Sequence, residues 1–240
     1  MKIILSPAKQ MNTKNAFHKK WDLNEYSKQV VDALVTLNDN EIKKYLKIND
    51  SILTQVKEYH KDFRDNVTYQ ALDLYDGLAF RYLKNDDLSD EAKAYLDEHL
   101  LILSALYGPI KPNEYIKPYR LDLLSTVKIN GSNLRNFWKG YYASFLKENE
   151  MVLNLASDEF SSMFEKDRYH WIDFDFYEIK DGKEKKHSTI SKKARGLMTR
   201  YLAENKVKSL DDILEFNLDG YRFSEEDSKG NLLVFIKDLD

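Results

Sequence analysis

Residues 100–121 read LLILSALYGPIKPNEYIKPYRL. The stretch opens on an unbroken apolar run, Leu100 to Leu103, and changes character at Ser104. Gly108, Pro109, Pro112 and Pro118 follow, so three of the chain's four prolines lie here. A short apolar run that meets glycine and proline punctuation reads as a buried strand entering a rigid loop. That loop carries Tyr107, Tyr119 and Arg120. Rigid loops on a buried scaffold commonly display binding or catalytic side chains. A purely structural Ω-loop is the plainer alternative.

Two other runs end in the same manner. Ile3-Ile4-Leu5 stops at Ser6-Pro7, and Leu153-Asn154-Leu155-Ala156 stops at Ser157. Proline cannot continue an internal ladder, so the first of these strands ends where Pro7 begins. Runs apolar on both faces are expected of central strands in a covered sheet. Ligands of such sheets bind beyond the carboxyl ends of the strands. If the three strands are parallel neighbours, Lys9, Tyr107, Arg120, Asp158 and Glu159 face one crevice, with Ser6, Tyr119 and Ser157 in its wall. Lys9, Asp158 and Glu159 are the candidates for acid–base chemistry there. On an extended backbone the adjacent Asp158 and Glu159 point to opposite faces, which argues against their working as a pair.

Around these strands the chain reads as helices and turns. Apolar residues at helical spacing predict a helix from Asn24 to about Leu37. Two further helices, one after Asn40 and one capped by Asp50, make a helical hairpin over 40–64. Its turn, Ile48-Asn49-Asp50, contains no glycine. Simple helix packing and DNA-backbone binding by the turn both stay open. Gly77 breaks the segment 70–83, and Ser89 caps a helix that runs into His99. Asp122 to Ile129 is expected to be extended, and Leu134 to Leu146 helical. The segment 168–178 alternates as a half-buried strand does, and Asp181-Gly182 marks a hairpin turn. A short helix is expected near Leu210–Leu214, and the tail from Tyr221 to Ile236 forms two strands.

The strongest electrostatic signal is the helix predicted from Ser191 to about Asn205. One face gathers Ala194, Leu197, Met198, Tyr201 and Leu202. The opposite face carries Lys192, Gly196 and Thr199, flanked by Lys193, Arg195 and Arg200. A glycine inside a helix costs about 1 kcal/mol relative to alanine. On a basic face it would let a phosphate or a backbone come close. Cations near a helix N-terminus oppose the dipole, whereas an anion there is favoured. An ordinary solvated basic face is the alternative to an anion site.

Composition sets the outer limits. The chain has 240 residues and a formal net charge of −3, so any nucleic-acid contact must rest on locally concentrated cations. It has no cysteine, which removes disulfides, thiolate metal sites and thiol catalysis. The five histidines are scattered, without HxH or i, i+4 pairing, so no metal site or cofactor is expected. The apolar start, MKIIL, is too short for a secretory signal, and no run approaches the roughly 18 apolar residues of a membrane span. A cytoplasmic monomer with no membrane partner is expected. No P-loop, GxGxxG, HExxH or serine-elbow motif occurs. The fold expected is a single mixed α/β domain over residues 1–240, with a largely buried central sheet and surrounding helices.

A set of motifs in order along the chain resembles the YaaA peroxide-stress protein family. They are Ser6-Pro-Ala-Lys9, Leu103-Ser-Ala-Leu-Tyr-Gly108, Pro118-Tyr-Arg120, Phe137-Trp138, Asn154-Leu-Ala-Ser-Asp-Glu159, Lys192-Lys-Ala-Arg-Gly-Leu-Met198 and Gly220-Tyr221. The resemblance implies a cytosolic bacterial protein that protects against hydrogen peroxide, linked to lower intracellular iron and less oxidative DNA damage. It implies a family-specific α/β fold with a positively charged cleft that binds DNA, and a helix-hairpin-helix element that would fall at 40–64. By motif, cleft roles carry over to Lys9, Arg120, Lys192, Lys193 and Arg195. No established reaction comes with it. The expectation is a DNA-binding stress protein; the alternative is an enzyme acting on a nucleotide or nucleobase in the same cleft.

Overall fold

The structure is a computed structural model that describes residues 1–84 and 88–240. Strand β1 (Lys2–Leu5) opens the chain, and a strap without regular structure leads to helices α1 (Glu25–Val35), α2 (Asp39–Leu46) and α3 (Asp50–Asp62). Next come β2 (Tyr69–Gln70), α4 (Ala71–Leu74), α5 (Leu78–Leu83) and α6 (Asp90–His99). The central part holds β3 (Leu100–Ser104), β4 (Gly108–Ile110), β5 (Tyr115–Ile116), β6 (Lys128–Ile129), β7 (Ser132–Asn133) and α7 (Leu134–Ala143). It is followed by β8 (Met151–Leu155), α8 (Asp158–Ser161), β9 (His170–Lys180), β10 (Lys183–Lys185) and α9 (Ser188–Glu204). Helix α10 (Leu210–Leu214) and strands β11 (Tyr221–Lys229) and β12 (Leu232–Asp238) close the chain.

The main sheet runs β11-β12-β9-β8-β1-β3-β4, with β10 paired to β9. Its five inner strands, β12, β9, β8, β1 and β3, are parallel. The strands β4, β10 and β11 are antiparallel to their neighbours. The three apolar runs are therefore neighbours, with β1 between β8 and β3. Leu5 lies level with Ile102 on one side and Leu155 on the other, so β1 and β8 end together. All of Ile3, Ile4 and Leu5, and every residue of β3, are buried. Each such aliphatic side chain contributes about 1.5–3 kcal/mol of burial.

The stretch 100–121 is knitted from within. Ser104 Oγ accepts the N–H groups of Leu106 and Tyr107 and donates to Tyr119 Oη at 2.8 Å, which pairs with Tyr75 Oη at 2.8 Å. Tyr107 Oη donates to the Lys117 carbonyl and accepts the Lys117 N–H. Part of the expected loop is strand. Gly108, at φ 75°, turns the chain so that Pro109 pairs along the outer edge in β4. Proline is tolerated there because an edge strand leaves one side unpaired. A Cβ at Gly108 would stand 2.8 Å from the Tyr141 ring.

Four local expectations need correction. Asp122 to Val127 is a turn: Ser125 N–H donates to the Asp122 carbonyl at 3.0 Å, and Ser125 Oγ accepts the Asp122 N–H at 3.2 Å. Local side-chain bonds outcompete an extended path there. Helix α9 starts at Ser188 with His187 as N-cap, so Ser191 lies inside it and the cations sit a turn deeper than expected. Helix α3 is entered from Asn49, with no side-chain cap. Helix α7 stops at Ala143, short of Leu146. In the hairpin turn Lys47 takes a left-handed φ of 53°. Its N–H and that of Ile48 both bond to the Lys43 carbonyl, so these two amides are already occupied.

Candidate functional site

Beyond the carboxyl ends of β1 and β8 lies a cavity of about 590 Å³. Four loop segments and one helix face line it. The segment after β1 brings Ser6 to Gln10; the start of α5 brings Gly77 to Phe80; the loop after β5 brings Tyr119 to Asp122. The end of β8 and the short helix α8 bring Ser157 and Glu159, and α9 brings Thr189, Lys192 and Arg195. The last three recur at i, i+3, i+6 and so share one stripe of the helix.

The two serines tie the strand ends together. Ser6 Oγ accepts the Ser157 N–H at 2.8 Å and lies 3.0 Å from Ser157 Oγ. Gly196 explains how α9 reaches the cavity. A Cβ there would be 2.1 Å from the Ala79 carbonyl oxygen and 3.0 Å from Tyr82 Cβ. The glycine thus lets α9 lie against the backbone of α5, which carries Lys192 and Arg195 up to residues 77–80. The close approach made possible is by a backbone, and Gly196 itself is buried away from the cavity.

The cations divide into two groups. Lys9 Nζ pairs with Asp122 Oδ2 at 2.7 Å across the cavity lining. Lys193 Nζ bonds to Asp219 Oδ2 at 2.7 Å, beside the Tyr82 ring, and Arg200 pairs with Glu204 at 2.6 Å. Neither Lys193 nor Arg200 lines the cavity. Arg120, Lys192 and Arg195 do line it, and among the described residues none of the three has a carboxylate within 4.0 Å. The Nε of Arg195 is buried without a hydrogen-bond partner. Burial lowers the pKa of this guanidinium, while the more distant charges of Asp158 and Asp175 act in the opposite direction.

The carboxylates also separate. Glu159 lines the cavity and is half-buried; Asp158 is exposed and does not line it. Their backbone is helical, so the adjacent side chains diverge by about 100° rather than to opposite faces of a strand. Burial raises the pKa of Glu159, and the nearby Asp122 charge adds to it. The N–H groups of Leu123 (2.9 Å from Oε1) and Leu124, and the charge of Lys9, hold it partly down. Tyr119 lines the cavity, its hydroxyl pushed up to about 12 by burial. Tyr107 is fully buried and serves as a pin of the loop behind. Among the described residues no three His, Asp or Glu gather into a metal-binding group.

Asp122, Gln10 and Thr189 join the site without having been singled out in the sequence. No residue pattern marks them; each is brought in by the ends of distant elements. Lys117 was also missed. It is fully buried, and its Nζ donates to the carbonyls of Asp62 (2.7 Å) and Asp65 (2.9 Å), pairs with the Asp65 carboxylate and lies over the Trp21 ring. It thereby caps the carboxyl end of α3 and anchors the helical hairpin to the strap and the proline-rich loop.

A family model described as peroxide stress protein YaaA matches residues 1–227. The chain belongs to that family. A UPF0246 protein of Streptococcus gordonii is 36% identical over 243 residues, covering 100% of both chains. A UPF0246 protein of Streptococcus pneumoniae strain CGSP14 is 35% identical over 242 residues, again covering 100% of both. The motifs that carry the family resemblance include the segments after β1 and β8 and, on α9, Lys192 and Arg195. No helix among the described residues is long and apolar enough to cross a membrane.

Proposed function

We propose that this protein acts in defence against hydrogen peroxide by binding DNA, with Arg120, Lys192 and Arg195 receiving backbone phosphate at the mouth of the cavity. The observation that carries this reading is the convergence of three cations on one cavity with no carboxylate within 4.0 Å among the described residues. Burial strips hydration from the Arg195 guanidinium, whose Nε has no hydrogen-bond partner, so an arriving anion relieves a standing cost. The net charge of −3 makes this attraction local. Three neutralised phosphates predict a slope of log K against log salt of about −2.7, or about a 40-fold loss of affinity from 50 to 200 mM salt. Fluorescence anisotropy with a labelled duplex measures it, and a flat titration would remove the reading. In the cell we propose that occupancy of DNA limits oxidative lesions, with lower iron as an accompanying effect. A strain lacking the protein should then show more lesions and more loosely bound iron after peroxide; unchanged levels of both would contradict this.

A second reading, an enzyme acting on a nucleotide, is favoured by Glu159. A half-buried carboxyl with a raised pKa, in a cavity that two serine hydroxyls also line, has the character of an acid–base group. Turnover found in a metabolite screen with the native protein, and lost with Glu159→Gln, would support it; equal signals from both would count against it.

A further inference from the structure

The shape of the cavity carries more than the three cations do. A sphere of 590 Å³ would be about 10 Å across, narrower than the roughly 12 Å major groove of B-DNA alone. A duplex can rest only on its rim. Inorganic phosphate, at the other extreme, would leave most of the space empty. The volume falls within the roughly 300–1,000 Å³ typical of small-molecule pockets.

The lining is also of two kinds. Lys192 and Arg195 on α9, and Arg120 from the loop after β5, offer charge-assisted donors to an anion. Pro7, Ala8, Leu78 and Ala79, all partly exposed, supply apolar wall that a phosphate alone does not use, while the rings of Phe80, Tyr119 and Phe160 are almost wholly buried. Apolar wall suits the face of a flat ring. At the strand ends the Ser6 and Ser157 hydroxyls and the Glu159 carboxyl offer donors and acceptors together. Donor–acceptor pairs of that sort read the edge of a nucleobase or a ribose hydroxyl. One molecule satisfies cations, apolar wall and hydrogen-bonding groups at once: a phosphate ester carried on a sugar and a base.

We propose that the cavity is a binding site for a single nucleoside monophosphate unit. Its phosphate lies on Arg120, Lys192 and Arg195, and its base and ribose lie against the apolar wall of Pro7, Ala8, Leu78 and Ala79, in the cavity that Glu159, Ser6 and Ser157 also line. This deepens the anion-binding reading of the cavity and rests on it, but does not require a duplex. The unit is either a free mononucleotide or the 5′-phosphorylated end of a single strand, and the two sources are separable by experiment.

Isothermal titration of the full chain with AMP, GMP, CMP and UMP, against the matching nucleosides, ribose 5-phosphate and inorganic phosphate, tests the proposal. At least one monophosphate should bind tenfold or more tighter than both its nucleoside and ribose 5-phosphate. Lys192→Ala, a change at an exposed position, should weaken that monophosphate about fivefold or more, and Arg120→Ala should do likewise. Glu159→Gln should alter the order of preference among the four bases while leaving ribose 5-phosphate unchanged. Monophosphates binding no tighter than ribose 5-phosphate, or unaffected by both cation variants, would overturn the proposal. A 5′-phosphorylated oligonucleotide that competes while its unphosphorylated twin does not assigns the strand end as a source; competition by the free monophosphate alone assigns the metabolite. A labelled duplex in the same buffer keeps the two readings apart. Duplex binding without mononucleotide binding sinks this inference and spares DNA binding, and the converse sinks DNA binding and spares this inference.

Discussion

Replacing Gly196 by alanine sets two physical effects against each other. In an isolated helix the change is favourable by about 1 kcal/mol, because alanine loses less backbone entropy. In this structure the new Cβ would stand 2.1 Å from the Ala79 carbonyl oxygen and 2.9 Å from its carbonyl carbon. Ordinary carbon–oxygen contacts are roughly 3.3 Å or longer, so α9 and α5 must separate by about 1 Å. The obstacle is backbone, which cannot rotate aside as a side chain can. The cost therefore belongs at the upper end of overpacking, about 3 kcal/mol. The net expectation is about 2 kcal/mol of destabilisation, or a fall in Tm of about 4–8 °C for a chain of this size. The separation also draws Lys192 and Arg195 back from residues 77–80, so anion affinity should fall with stability. Urea unfolding and duplex anisotropy on the same preparation read both. A Gly196→Ala protein that is stabilised, with unaltered affinity, would refute the close contact between α5 and α9 and the role given to the glycine.

Three further outcomes follow from the same geometry. Lys192→Ala should weaken duplex binding about five- to tenfold by anisotropy at low salt, whereas Lys193→Ala, whose cation is held by Asp219, should leave it within twofold. Lys117→Met removes the donor shared by the Asp62 and Asp65 carbonyls, and should cost about 2–3 kcal/mol in urea unfolding because Asp65 keeps part of its hydration. His60 is buried, its Nε2 has no partner, and burial lowers its pKa from 6.5 to about 4. Between those values the unfolded chain binds the extra proton, so this contribution is intact above pH 6.5 and is lost as pH falls towards 4. At pH 5 the loss is about 2 kcal/mol, and His60→Leu should show a correspondingly smaller drop in urea midpoint between pH 7.5 and pH 5 than the native protein.

The parts of the fold legible in the sequence are those set by local pattern. Short, largely apolar runs ending at Ser6, Ser104 and Ser157 marked β1, β3 and β8, because strands covered on both faces need such runs. Their parallel adjacency, on which the position of the cavity depends, is a condition that the apolar runs leave open and that the strand pairing supplies. What sequence periodicity could not resolve depends on partners distant in the chain. The charges of Lys193 and Arg200 look available on a helical wheel, yet Asp219 and Glu204 occupy them. Gly196 looks like a gap for a ligand until Ala79 fills it. Lys117 reads as a surface lysine in a polar loop, because nothing local says that the end of α3 will close over it. Asp122 sits in a segment expected to be extended, and its turn arises from two bonds to Ser125.

The proposed anion site needs Arg120, Lys192 and Arg195 to act together. The most direct test is the salt dependence of duplex affinity for the native protein and for Lys192→Ala. Three phosphate contacts give a slope of about −2.7 for the native protein, and one contact fewer gives about −1.8 for the variant. Identical slopes for the two proteins would contradict it.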